Sequence, residues 1–212
     1  MRAALIDYGS GNIASAAKAL SRAGGETSGH EIVVTADPDL VRKSERIILP
    51  GVGAFADCMR GLRAIPGMVE ALNESVIQNG KPILGICVGM QLMATAGREF
   101  GIHKGLNWIA GEVVAMQPAD PSLKIPHMGW NEIEPVQNHP LFAGLDANAN
   151  AYFVHSFEMK PDSAAHLLAT TSYGGSVTAA IGRDNIVGTQ FHPEKSQGVG
   201  LKILANFLNW KP

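Results

Sequence analysis

The chain has 212 residues, of which 46% are hydrophobic and 17% charged, and its formal net charge is -2. This composition supports a sizeable core and argues against a disordered chain; with no block of clustered Lys and Arg, no nucleic-acid partner is expected. Cys58 and Cys87 are the only cysteines, too few for a disulfide framework or a CxxC metal pair, which fits a reducing compartment.

The start, MRAALIDYG, reaches Asp7 after an apolar run too short for a signal-peptide core. Residues 3–6 read as a strand and 11–24 as a helix closed by Gly24 and Gly25, with an irregular stretch over 24–31. Residues 32–34 and 47–49 read as the next strands. After Gly61 a helical stretch is expected near 67–79, then a strand at 82–86 and a helix from about Val88. The segment around 82–96 is the most apolar, but it carries Gln91 and is broken by glycines, so no membrane span is expected. A soluble cytoplasmic protein is the expectation.

Apolar runs separated by helices predict βαβ units and a parallel sheet covered on both faces. The second half changes character. Residues 108–116, 130–134, 152–157, 167–171, 177–181 and 186–191 read as strands with short connections, more antiparallel in pattern, and 198–209 reads as a closing helix. The expected fold class is α/β: a single domain over 1–212 whose central mixed, mostly parallel sheet has helices on both faces, flavodoxin-like, with an antiparallel second half. In such open sheets ligands bind beyond the carboxyl ends of the strands. Residues 9–12, 50–53 and Cys87 all follow strands and should crowd one edge.

The stretch GICVGMQ, residues 85–91, sets Cys87 between Gly85 and Gly89. G-x-C-x-G is the thiol version of the nucleophile elbow, a strained strand-to-helix turn that exposes its central residue. Free N–H groups at a helix start would also favour a thiolate. A buried structural cysteine in a tight connection fits the same pattern. A thiolate needs a base, and a base needs something to orient it. The stretch TQFHPE offers His192 and Glu194, which share a face if strand geometry continues. A surface histidine beside a solvated glutamate is the plain alternative; a metal site lacks nearby partners at ligand spacing. The order Cys, His, Glu differs from that of the α/β-hydrolases, where the acid precedes the His.

Among the other candidates, His30, His103, His139 and His166 stand in polar or loop contexts and are expected to be exposed. His127 has no acid at short spacing and reads as structural or interfacial. Cys58 reads as packing, and the scattered methionines as core filler.

Together the elbow and the late HPE resemble the triad-type glutamine amidotransferases. DYGSGN (7–12), PGVGAF (50–55) and PHMGW (126–130) narrow the resemblance to the glutaminase subunits of imidazole glycerol phosphate synthase, and with FVHS (153–156) and QFHPEKS (190–196) it runs nearly end to end. The resemblance implies Cys87 as nucleophile, His192 as general base and then acid, and Glu194 as the residue orienting it. It implies an oxyanion hole from the N–H groups of Val52 and Val88. Glutamine would be held around Gly53, Gln91, Glu99, His155 and Ser156. Asn12, Trp130 and Lys195 would lie on the face that meets the cyclase subunit, a β/α barrel that receives ammonia through an internal passage and uses it on a phosphoribulosyl carboxamide nucleotide. No cofactor and no metal are implied. A non-catalytic binding or stress protein with a redox-sensing elbow cysteine is the competing class, and it has no need of the HPE.

Overall fold

The structure is a computed structural model that describes residues 1–25 and 29–212. The order of elements is β1 (Arg2–Ile6), α1 (Ile13–Gly24), β2 (Glu31–Thr35), α2 (Pro38–Lys43), β3 (Arg46–Gly51), α3 (Phe55–Ala64), α4 (Met68–Asn73), β4 (Ile83–Cys87) and α5 (Val88–Gln91). There follow β5 (Ala96–Gly97), β6 (His103–Lys104), β7 (Gly111–Ala115), β8 (His127–Glu132), β9 (Glu134–Pro135), β10 (Asn150–His155), β11 (Phe157–Pro161), β12 (Leu167–Ser172), β13 (Ser176–Arg183), β14 (Ile186–Thr189) and α6 (Gln197–Asn209).

An eight-stranded sheet in the order β2-β1-β3-β4-β14-β13-β12-β9 forms the centre. Pairing is parallel from β2 through β14 and antiparallel from β14 to β9. The parallel strands β1, β3 and β4 read as unbroken apolar runs because both of their faces are covered. On one side α1 packs against α6, and on the other α4 packs against α2 and α3. The α/β expectation holds, including the flavodoxin-like strand order and the antiparallel later strands.

Several details differ from the sequence reading. The helix expected near 67–79 is α4 running into a π turn, Glu74–Gln78, and two further helices, α2 and α3, precede it. The strand expected at 152–157 is two: β10 pairs with β8 in a two-stranded sheet, and β11 pairs with β7 in a four-stranded one. The chain changes sheets at Ser156, whose carbonyl accepts from the Met116 N–H at 3.0 Å. Of the irregular stretch 24–31, residues 26–28 lie outside the described residues. Among the described residues no helix is long and apolar enough to cross a membrane.

Candidate active site

Parallel pairing aligns the carboxyl ends of the strands. Gly51 at the end of β3 stands opposite Cys87 at the end of β4, and Thr189 at the end of β14 stands opposite Ile86. The residues that continue each strand therefore meet at one edge: 52 and 53 from β3, 88 onward from β4, and 190 to 192 from β14.

Cys87 has φ 53 and ψ -114, a conformation that costs a non-glycine residue of order 1–3 kcal/mol and persists only where its surroundings impose it. Gly85 is part of that imposition, since a Cβ there would come within 2.7 Å of the Met90 backbone. The elbow is real, but α5 is a single turn. The helix contribution expected to favour a thiolate is correspondingly small, because few peptide dipoles are aligned behind the sulfur. Two polar neighbours of Cys87 come from the segment that continues β14: Gln190, wholly buried, turns its amide N–H to the sulfur at 3.7 Å, and His192 lies beside it.

His192 and Glu194 are paired, though not by strand geometry. β14 ends at Thr189, and a 3-10 turn, Pro193–Lys195, folds Glu194 back beneath the imidazole. Nδ1 of His192 meets Oε1 of Glu194 at 2.7 Å, with both side chains buried. A carboxylate only accepts, so Nδ1 carries the proton and Nε2 is left for the thiol. Nε2 and the second carboxylate oxygen, Oε2, are buried without a hydrogen bond of their own. Burial pulls the imidazole pKa down, but the contacts with Cys87 and then Glu194 outweigh it and hold the pKa at about 9.

A cavity of about 690 Å³ opens over this group. Asn12, Val52, Gly53, Cys87, Val88, Gln91, Glu99, His155, Ser156, His192 and Lys195 all line it. Glu194 lies behind His192 and Trp130 lies outside the cavity, half exposed on β8 and edge-on to Tyr152. Lys195 reaches over the same Tyr152 ring, its Nζ 5.6 Å from the centroid.

Glu99 spans from the pocket to α3, where its Oε2 accepts the Phe55 N–H at 2.8 Å. Gln91 donates from Nε2 to the carbonyl oxygen of Phe157 at 3.1 Å and to Oε1 of Gln190 at 3.0 Å. Both of its amide hydrogens are thus committed, and what it can offer a ligand is its own carbonyl oxygen. His155 is committed at both ring nitrogens, to the Phe157 carbonyl at 2.9 Å and to His127 at 3.0 Å; it can hold a ligand only through its backbone. Near the end of β3 the Tyr8 hydroxyl donates to the Pro50 carbonyl at 2.6 Å, and just past the strand Ser10 and Cys58 approach the Val52 carbonyl at 3.4 and 3.3 Å. Cys58 is fully buried, as packing required.

His127, left open between two readings, is structural: it is buried and stacked between Phe153 and Tyr173. The four histidines expected to be exposed are each partly shielded. His30 packs on Gly24, and His139 packs on Trp210 while its Nδ1 accepts the Leu141 N–H at 3.1 Å. Gln190 is the site residue missed by the sequence reading; its place two positions before His192, just past the strand beside the elbow, is the signal that could have found it.

The model of the class-I glutamine amidotransferases matches residues 4–210. The chain is 57% identical over the full length of both chains to the imidazole glycerol phosphate synthase subunit HisH of Brucella suis. It is 58% identical, again with full coverage of both, to the subunit of that name from Rhodospirillum rubrum. Among solved structures, PurLQS from Thermotoga maritima shares the fold with a TM-score of 0.69 and 22% identity over 98% of this chain and 97% of that one. A glutamine amidotransferase structure does so with a TM-score of 0.70 and 15% identity over 95% and 98%. The chain belongs to the class-I glutamine amidotransferases and, within them, to the HisH subunits of imidazole glycerol phosphate synthase.

Proposed function

We propose that Cys87, His192 and Glu194 are the hydrolytic triad of this HisH-family glutaminase of histidine biosynthesis, acting within one glutaminase domain that spans 1–212. One observation carries the assignment: a cysteine in a strained turn lines the same cavity as a histidine that a buried glutamate holds from behind. The Cys87 thiol passes its proton to His192, and the thiolate so formed attacks the side-chain amide carbon of glutamine. The oxyanion that forms is held by the N–H groups of Val88 and Val52, each such donor being worth about 3–4 kcal/mol of barrier. His192, which keeps its proton up to about pH 9, gives it to the amide nitrogen; the C–N bond breaks and ammonia leaves. Water then loses a proton to His192 and attacks the glutamyl thioester, the C–S bond breaks, and glutamate is released. Glu194 holds the imidazole in one tautomer and stabilises its charged form. Neither half-reaction requires a cofactor or a metal.

Glu99, with one oxygen on the Phe55 N–H, presents the other to the α-ammonium group of glutamine, beside the carbonyl of Gln91. The backbone around Gly53 and from His155 to Ser156 holds the α-carboxylate. Asn12 and Lys195 stand at the pocket mouth, Trp130 beside it, and Val52, Met128 and Trp130 expose 40%, 62% and 49% of their surface there. This rim of apolar and polar groups receives the barrel-type synthase subunit, which takes the ammonia before water protonates it. The setting is the cytoplasm, where two free cysteines stay reduced.

The test is glutamate release from glutamine, with and without the synthase subunit and its nucleotide. Release that rises on assembly supports the proposal; no release under either condition overturns it.

A further inference from the structure

We propose that His127 is a positioning residue for glutamine: a single directed hydrogen bond from its ring locks the His155 imidazole, and with it the pocket corner from His155 to Phe157. The kinetic part of this proposal rests on the glutaminase reading; the spectroscopic part stands without it.

The direction of the chain is settled at both ends. At the pocket end, His155 Nδ1 meets the Phe157 carbonyl oxygen at 2.9 Å. A carbonyl only accepts, so Nδ1 carries the proton, and a neutral ring then presents a bare Nε2. At the outer end, Asn131 Nδ2 donates to the Ser172 carbonyl at 2.8 Å and Oδ1 accepts the Glu132 N–H at 2.9 Å. These two contacts fix which way the amide faces, and its Nδ2 then donates to Nε2 of His127 at 3.2 Å. His127 Nδ1 must therefore hold the proton, and it donates to His155 Nε2 at 3.0 Å. Both rings are in the Nδ1–H form, and no other neutral assignment satisfies every contact.

Burial keeps both rings neutral, with pKa values of about 4 for His127 and about 4 for His155. The His127 ring is clamped between Phe153, 4.9 Å away centroid to centroid, and Tyr173, 4.1 Å away, so it cannot turn over without breaking both stacks. What His127 fixes reaches the reacting atoms. The Phe157 carbonyl that takes the His155 proton also takes the Gln91 amide; Gln91 in turn donates to Gln190, and Gln190 to Cys87. His155 lines the pocket at the point where the chain leaves one sheet for another, and Ser156 falls between the two strand ladders. The side-chain bonds to His155 support this corner.

Three variants separate positioning from bulk. In H127N the amide nitrogen can occupy the Nδ1 place and donate; H127Q reaches only toward the Nε2 place; H127F keeps the stacking and no donor. Long-range 1H–15N correlation spectra of histidine-labelled protein report the tautomers, and steady-state glutaminase kinetics in the assembled synthase report KM and kcat. The wild type and H127N should show one Nδ1–H tautomer for His155, with glutamine KM agreeing within about threefold. In H127Q and H127F the His155 signal should lose its single tautomer, and KM should rise about tenfold, more than kcat falls, as expected when a buried acceptor is left unpaired. An Nε2–H form of His155 in the wild type overturns the proposal, as does an unchanged tautomer and KM in H127Q or H127F. If H127F does not fold, the H127N and H127Q pair decides. Absence of glutamine turnover in the wild type would sink the glutaminase reading, while the tautomer spectra would still decide the locking of His155.

Discussion

A Cβ placed on Gly89 would lie 1.8 Å from the carbonyl oxygen of Leu49. The turn that carries Cys87 is wedged against the end of β3 at a second point as well, since a Cβ on Gly51 would come within 2.6 Å of the Gly89 nitrogen. These contacts are backbone to backbone, so no side chain can yield. Gly89→Ala should destabilise the protein by about 1–3 kcal/mol, the usual cost of overpacking, and should lower glutaminase activity by moving the sulfur away from His192. Denaturant unfolding and kcat check both. A Gly89→Ala protein of unchanged stability and rate contradicts the wedge.

The Cys87 contact should be visible in the titration of His192. Its pKa of about 9 reflects burial, which lowers it, overcome by Cys87 and Glu194, which raise it. Removing the sulfur in Cys87→Ala should bring the titration down toward neutral pH, read by NMR of the ring protons. The stability linkage has a definite sign. The folded-state pKa lies above the ordinary value of about 6.5 for an unfolded chain, so the protonated ring contributes stability below about pH 6.5. That contribution is lost as pH rises through about 9. Wild-type stability should therefore fall between those limits more steeply than that of Cys87→Ala.

Residues of a triad act as a unit, so His192→Ala should be nearly as damaging to kcat as loss of the nucleophile, at least about 10²–10⁴-fold. Glu194→Gln keeps a hydrogen bond to Nδ1 but loses the charge, a difference worth about tenfold. The check is glutamate release by each variant in the assembled synthase. Equal losses for Glu194→Gln and His192→Ala would show that Glu194 does more than orient.

Cys87 is legible in the sequence because the elbow demands small residues at two fixed positions, and Gly85 and Gly89 occupy them. The His192–Glu194 pair is legible as a motif, but strand periodicity supplies the wrong reason for it: Pro193 starts a 3-10 turn, and the turn makes the contact. Helix α3 escapes notice because it opens at Ala54 with no side-chain cap and directly follows a glycine loop. His127 and Gln190 are hidden for another reason. Their partners, His155 and Cys87, lie 28 and 103 residues away, and local pattern carries nothing about such distances. The same holds for His139, whose polar neighbours in sequence say nothing of Trp210 against its ring.

Docking of the synthase should act on rate more than on affinity. The groups proposed to hold glutamine are already fixed in place, Glu99 on the Phe55 N–H and Gln91 on the Phe157 carbonyl. The proposed oxyanion donor, the N–H of Val52, belongs instead to a residue that is 40% exposed and lines the cavity. Interactions realised only in the transition state raise kcat, and completing one oxyanion donor is worth about 10²–10³-fold. The isolated chain should hydrolyse glutamine slowly, and the liganded synthase should raise kcat more than it lowers KM. Full activity in the isolated chain, or stimulation confined to KM, would contradict a role for the Val52 loop in activation.

The most direct measurement compares two nitrogen sources in one assembled complex. With Cys87→Ala in place of the wild-type chain, formation of the imidazole product is followed first with glutamine and then with added ammonium. If Cys87 serves only to make ammonia, synthesis from glutamine is abolished and synthesis from ammonium is largely retained. Loss of both activities in a complex that still assembles, or retention of glutamine-dependent synthesis without the Cys87 sulfur, contradicts the assignment of Cys87 as the glutaminase nucleophile.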